Sequence, residues 1–367
     1  MLHALTLILL CQLAGETVVL LTGLPVPGPV LGMLLLLGWL FLRGGISEEV
    51  GRTADTLLAH FSLLFVPAGV GVMLHWERLQ GQWPAIAAAL LLGTLLTLAV
   101  TALTMAGVQR LLATVRRRRG VPPVTDSPFT EIWVYLSASP LLWLTATLVC
   151  YLAADRLYRL GRGSPLLNPV AVAVALLIGI LTLTGTPYAV YFDGAQFVHF
   201  LLGPATVALA IPLYRQRERL GALAVPIGAA LLVGVLTASV SAIGLAAWLG
   251  ADIATQISLA PKSVTAPVAM GISEKLGGIP SLTAVLVVST GIVGAVFGTG
   301  VLRLLRIRDD AVKGVAMGVT SHGIGTARAF QVSPTMGAFS GLAMALSAFL
   351  TAALLPSVLD WLGLIGG

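Results

Sequence analysis

Charge is what this chain has least of. Only 10% of its 367 residues are charged, against about 25% in a soluble domain, and lysine occurs three times, at Lys262, Lys275 and Lys313. With 57% hydrophobic residues and a mean hydropathy of +0.97, it has too little polar surface to cover its apolar bulk. A soluble domain is excluded, and a polytopic, all-α membrane protein is implied. Cysteine is nearly absent too. Cys11 and Cys150 both lie in apolar runs and read as packed thiols, which excludes a disulfide framework.

Catalytic signatures are also missing. There is no HExxH, no nucleophile elbow, no Walker loop and no His/Cys cluster with metal spacing. The glycines at 277–278 and at 323 and 325 follow no strand, so they do not form a dinucleotide site. No enzyme activity, cofactor or metal is therefore expected. The net charge of +6 does not point to nucleic acid. Its arginines gather between apolar runs ("RRRR" at 116–119, "RQRER" at 215–219, "RLLRIR" at 303–308), as in cytoplasmic loops. The first apolar run lacks a basic n-region and a small-residue cleavage site, so it reads as a retained helix.

About 20 apolar residues cross a bilayer as a helix. Four runs qualify early, at roughly 3–24, 28–43, 55–75 and 84–112. The polar stretch "RRRRGVPPVTDSPFTE" follows, so the boundaries are a first domain at 1–112, a basic linker at 113–130 and a second domain at 131–367. In the second domain, spans are expected at 132–154, 166–184, 222–250, 281–303 and 337–362. The basic "DRLYRLGRG" at 155–163 then lies one span away from "RRRR", and both cannot be cytoplasmic unless Pro140 breaks the first span.

Three segments are apolar but interrupted: 194–214 ("LLGPATVALAIP"), 253–275 ("LAPKSVTAPVA") and 312–331 ("TSHGIGTARAF"). A broken helix frees backbone groups, so it survives only where protein or water covers it. The order of runs at 166–214 resembles that at 281–331, which suggests duplicated, inverted repeats. Paired interrupted segments point to a transporter's substrate site. The plainer alternative is that glycine and proline are frequent in membrane helices.

Chemistry concentrates at the interruptions. Lys262, with Ser263 and Thr265, offers a cation and hydroxyls beside the start of a half-helix, which suits an anion. The alternative for Lys262 is snorkelling, or pairing with Asp252 or Glu274. His322, between Ser321 and Gly323, reads either as a core histidine bonded to a carbonyl or as a ligand donor and proton carrier. Arg328 could hold a carboxylate bidentately or cap the segment at an interface; Thr326 adds another hydroxyl. Asn168 and Thr206 sit beside prolines at helix breaks and are weaker candidates. Asp193 and Glu274, with His322, are candidates for proton coupling. Asp193 and His199 also suit a structural place at a mouth.

These motifs carry a resemblance. Pro261–Ala269, Gly277–Val287, Thr320–Phe330 and "FLLGPATVALAIPLY" (200–214) resemble the LrgB/CidB family, while "MGAFSGLA" (336–343) departs from its usual "EGAFSSLA". "LPVPGPVLGMLLLL" (24–37) and "LLFVPAGVGVM" (63–73) resemble LrgA/CidA. In bacteria the two are usually separate; fused members include plastidial glycolate/glycerate translocators, and no transit peptide is visible here. The resemblance implies an integral protein of a bacterial inner membrane, or of the plastid inner envelope as a mature protein. It implies one of two functions. One is an elevator-like carrier of small monocarboxylates such as glycolate, glycerate, lactate or pyruvate, coupled to protons or exchanging them. The other is a holin-like regulator of murein hydrolase export and lysis. The first domain would be the scaffold. Its small-residue faces at 25–32 and 69–73 lead us to expect a homodimer through residues 1–112.

Overall fold

In a computed structural model, residues 2–22, 27–71, 73, 82–112, 140–161 and 163–364 are described, and among them every regular element is helical. By length and composition, seven of these helices can cross a membrane, or eight if one bent pair counts as a span. The all-α polytopic expectation holds.

Helices α1 (Leu2–Thr22) and α2 (Gly28–Arg43) meet almost backbone to backbone. A Cβ on Gly32 would stand 2.6 Å from the Cys11 carbonyl oxygen. In lipid, such close approach drives association, because burial from water no longer does. The glycines behind the expected dimer seam are therefore engaged inside the chain: Gly28 faces Glu16, Gly69 faces Val174 and Val288, and Gly71 faces Tyr188.

Helix α2 has only 16 residues and stops where Gly44 takes a φ of 76°. That gives it about 24 Å, short of a hydrocarbon core of about 30 Å. The run expected to span 55–75 is instead bent. Helix α3 (Glu48–Ala59) carries Glu48 and Glu49 in its first turn, where the dipole favours them. It meets a 3-10 turn (Phe61–Phe65) and α4 (Val66–Val70) at 54°. Only α5 (Trp83–Leu112) of the later first domain runs long and unbroken. It leaves α1–α4 and packs along three helices of the second domain.

The linker at 113–130 and residues 131–139 lie outside the described residues. Helix α6 (Pro140–Leu160) starts at Pro140, whose missing N–H is not needed in a first turn. The span expected at 132–154 is thus shifted. "DRLYR" is no loop but the last turns of α6, with Arg159 paired to Asp155 at 2.8 Å. Helix α7 (Pro169–Thr184) is short, capped by Asn168 at one end and closed by Gly185 (φ 65°) at the other.

The segment at 194–214 is less broken than its sequence suggests. Helices α8 (Tyr188–Phe200), α9 (Leu202–Ala208) and α10 (Ala210–Arg215) are joined by single residues. Both joints, Leu201 (φ −66°, ψ −11°) and Leu209 (φ −58°, ψ −20°), stay right-handed. Tyr188–Arg215 therefore continues as one apolar span of 28 residues. Helix α11 (Arg217–Trp248) follows.

The other two interrupted segments do turn back. Helix α12 (Ile253–Leu259), a turn at 260–265 and α13 (Ala266–Leu276) return the chain on itself, so that Ile279 N donates to Ser258 Oγ at 2.8 Å. After α14 (Pro280–Leu304) comes α15 (Asp310–Val332), broken at His322. A straight helix of that length would hold its ends about 33 Å apart. Instead, Ser333 Oγ donates to Asp310 Oδ2 at 2.8 Å. The two halves of α15 form a re-entrant hairpin with His322 at its tip, packed against α16 (Pro334–Trp361).

Candidate functional site

The tip of the α15 hairpin is made by its backbone. His322 takes φ 39°, ψ −132°, a region that a side chain with a Cβ seldom adopts and that costs of order 1–3 kcal/mol. The turn is held from both sides. Thr326 Oγ1 donates to the His322 carbonyl at 2.8 Å and lies 2.9 Å from Ser340 Oγ on α16. Gly323 leaves no room for a side chain, since a Cβ there would overlap the Phe65 ring of the first domain. The imidazole is buried, with Nε2 at 2.9 Å from the Val287 carbonyl oxygen on α14. A carbonyl can only accept, so Nε2 carries the proton and Nδ1 remains to accept or take up a second one. The plainer reading of His322, a core histidine bonded to a carbonyl, is thus realised.

Lys262 is on the turn between α12 and α13, wholly buried. Its Nζ donates to Thr94 Oγ1 of α5 at 3.1 Å and, more weakly, to Ser263 Oγ at 3.5 Å. No ion pair involves it among the described residues. Asp252 instead caps α12 by accepting from Thr255 N at 2.7 Å and takes Gln82 Nε2 at 2.8 Å. Glu274 is exposed. Neither acid of the plainer reading neutralises the lysine, and a buried ammonium held only by hydroxyls is an expensive arrangement. Val264, two residues past Lys262, packs in the same apolar cluster as Val287, whose carbonyl holds the His322 ring. The two fold-backs therefore present a cation and an imidazole to the same interior region.

Unused hydroxyls gather on these segments. Thr265 stands at the N-cap of α13, yet its hydroxyl caps nothing and is buried without a partner. Ser321, pressed against Gly294, and Thr320 are also buried without partners. Beside Ser263 a narrow seam runs between Ser239, Val319 and Thr351, with essentially no room for a water molecule. Ordinary buried hydroxyls find acceptors; these three find none among the described residues, as is also true of Thr53 and Thr101.

The remaining sequence candidates have other contacts. Asn168 Oδ1 caps α7, accepting from Val170 N at 3.0 Å and Ala171 N at 3.3 Å. Thr206 lies on α9, which packs against α1, α2 and α3, and its hydroxyl goes to the Leu202 carbonyl at 2.7 Å. Arg328 reaches Tyr158 OH of α6 and, at 3.0 Å, Gln331 Oε1. Six residues past the tip, or about 9 Å of helix, it sits about midway down the returning half of the hairpin. Asp193 is exposed, and its carbonyl accepts from Gln196 Nε2 at 2.8 Å. His199 packs its ring against Phe192. Sequence reasoning missed Thr94 and Phe65. The signal for Thr94 was a row of hydroxyls (Thr94, Thr97, Thr101) along an otherwise apolar run.

These features define a two-domain helical membrane protein whose second domain carries re-entrant segments and whose first domain reaches into them. The chain belongs to the LrgB-like family, which matches residues 147–361, and an LrgA family domain matches residues 12–105 ahead of it. It is an integral membrane protein, and its bacterial relatives fit the plasma membrane. It is similar to the uncharacterized protein YwbG of Bacillus subtilis, 39% identical over 220 residues, which covers 60% of this chain and 97% of that one. It is also similar to the holin-like protein CidB of Staphylococcus aureus, 32% identical over 216 residues, or 59% and 94% of the two chains. No solved structure matches.

Proposed function

We propose that the protein is a secondary carrier of small monocarboxylates and 2-hydroxy acids: glycolate and glycerate, with lactate or pyruvate as further candidates. The observation that carries this reading is the Lys262 side chain, wholly buried, without an acidic partner among the described residues and held only by the hydroxyls of Thr94 and Ser263. A carboxylate would neutralise the ammonium, and the hydroxyls would pair with its remaining oxygens and its 2-hydroxyl. Such a charge-assisted contact is worth far more in a dry interior than in water. Ser263, Thr265, Ser321 and Gly323 line the approach, and His322 is the candidate proton carrier, with transport coupled to protons or running by exchange.

An elevator-like movement and a homodimer remain part of this proposal. The seam for such a dimer has to be sought outside the glycine faces of α2 and α4, which the chain itself occupies.

Uptake of radiolabelled glycolate and glycerate into proteoliposomes, with and without an imposed pH gradient, tests the reading. Saturable uptake, competed by related acids, is the expected result. A second reading, a holin-like assembly, is favoured by the name of the staphylococcal relative. It predicts unsaturable leakage of a trapped dye from the same vesicles and indifference to Lys262.

A further inference from the structure

We propose that the anion site is built jointly by both domains, with Thr94 of the first domain as the residue that positions the Lys262 ammonium. The proposal rests on the carrier reading for what the site binds, but not for how it is assembled.

Helix α5 presents Thr94, Thr97 and Thr101 on one face, at the spacing of i, i+3 and i+7, all wholly buried. A row of hydroxyls alone would mean little. Thr97 donates to the Gly93 carbonyl at 2.6 Å, as a membrane threonine usually does, and Thr101 has no partner. Thr94 differs from both, because its oxygen accepts from Lys262 Nζ at 3.1 Å. A hydroxyl has one donor and two acceptor positions. In this arrangement one acceptor position fixes the ammonium, and the O–H proton is left to be offered to an anion beside it.

The preceding residue supports the same assignment. A Cβ on Gly93 would stand 3.6 Å from Lys262 Cε, an ordinary contact distance, so the lysine stem lies directly alongside the α5 backbone. Helix α5 packs along α11, α14 and α15. Gly234 of α11 faces Thr101, and Gly298 of α14 faces Met317, with Leu98 of α5 beside it at 3.6 Å. The Thr94 hydroxyl therefore belongs mechanically with the two re-entrant segments rather than with α1–α4. The second domain alone leaves the ammonium without its nearer partner.

The test uses the whole chain and four variants: Thr94→Val, Thr94→Ser, Lys262→Met, and Thr94→Val combined with Lys262→Met. Thermal unfolding of the purified proteins gives a double-mutant cycle that needs no substrate. The expected cycle is non-additive, because Thr94→Val lowers the midpoint only while the lysine is present. An additive cycle overturns the proposal. In proteoliposomes, Thr94→Val is expected to raise the glycolate concentration for half-maximal uptake about tenfold at an unchanged maximal rate, with Thr94→Ser close to wild type. Uptake by Thr94→Val equal to wild type overturns the proposal, as does a fall in maximal rate that Thr94→Ser shares. If wild-type protein carries no acid yet the cycle is non-additive, the carrier reading falls and the joint assembly of the site stands.

Discussion

Tyr188–Arg215 contains two prolines and continues across as one span, whereas Asp310–Val332 contains none and doubles back. Each proline of the first segment, Pro204 and Pro212, falls in the opening turn of a short helix, where its missing N–H is not needed. The joints stay right-handed and the axis carries on. In the second segment one residue, His322, carries a positive φ, and that alone reverses the chain. Proline content alone thus does not decide whether a segment doubles back, since 253–276 holds Pro261 and Pro267 and turns without any positive φ. The polar groups differ in the same sense. Thr206 of the first segment uses its hydroxyl on its own helix, while Thr320 and Ser321 of the second have no partner.

Five measurements break or sharpen that contrast, starting with the largest expected effect. Lys262→Met is expected to reduce glycolate uptake more than about a hundredfold, since removing one partner of a desolvated ion pair costs 3–5 kcal/mol. The thermal midpoint should hold or rise, because an apolar chain replaces a desolvated charge. A parallel collapse of folding would contradict this. Gly323→Val at the hairpin tip is expected to destabilise by about 1–3 kcal/mol through collision with Phe65, and trimming Phe65 to Leu should recover part of the loss in thermal unfolding.

His322→Gln keeps a side-chain donor for the Val287 carbonyl but cannot titrate. Substrate-for-substrate counterflow is expected to survive while pH-driven accumulation is lost, and equal losses in both assays would make His322 a ligand or structural residue. Thr206→Val on the continuous span should change stability by less than about 0.5 kcal/mol; a large loss would show that its hydroxyl does more than serve its own helix.

The smallest effect concerns the closure of the hairpin base at its aqueous end. Burial acts to raise the Asp310 carboxyl, but hydrogen bonds from Lys313 and Ser333 and the positive charges of Lys313 and Arg219 outweigh it and hold the group below its ordinary value. A lowered folded-state pKa contributes stability that is present above the unfolded value, about pH 3.9, and is lost as pH falls through the folded one. Wild type should therefore lose midpoint between about pH 4 and pH 3 by slightly more than Asp310→Asn does.

Much of this was legible in residues that are chemically out of place. A lysine and a histidine in apolar runs marked the two fold-backs, because lipid gives such groups no other reason to be there. The all-helical class followed from composition, since an unpaired backbone has no solvent in a bilayer. What was illegible depends on contacts distant in sequence. Thr94 lies 168 residues from Lys262, and a threonine in an apolar helix normally bonds the carbonyl four residues back, as Thr97 does. The bend between α3 and α4 and the true course of 194–214 turn on backbone angles at single residues, which hydropathy does not encode. The small-residue face of α2 suggested a partner chain, and only the packing of Gly32 on Cys11 shows that α1 already occupies it.

The most direct test of the central claim is equilibrium binding of radiolabelled glycolate to purified wild-type protein and to Lys262→Met, with methyl glycolate as the uncharged competitor. Saturable binding of one acid per chain is predicted for wild type, absent in Lys262→Met and unaffected by the ester. Binding that survives loss of the lysine, or that the ester displaces as well as glycolate does, would contradict an anion site at Lys262.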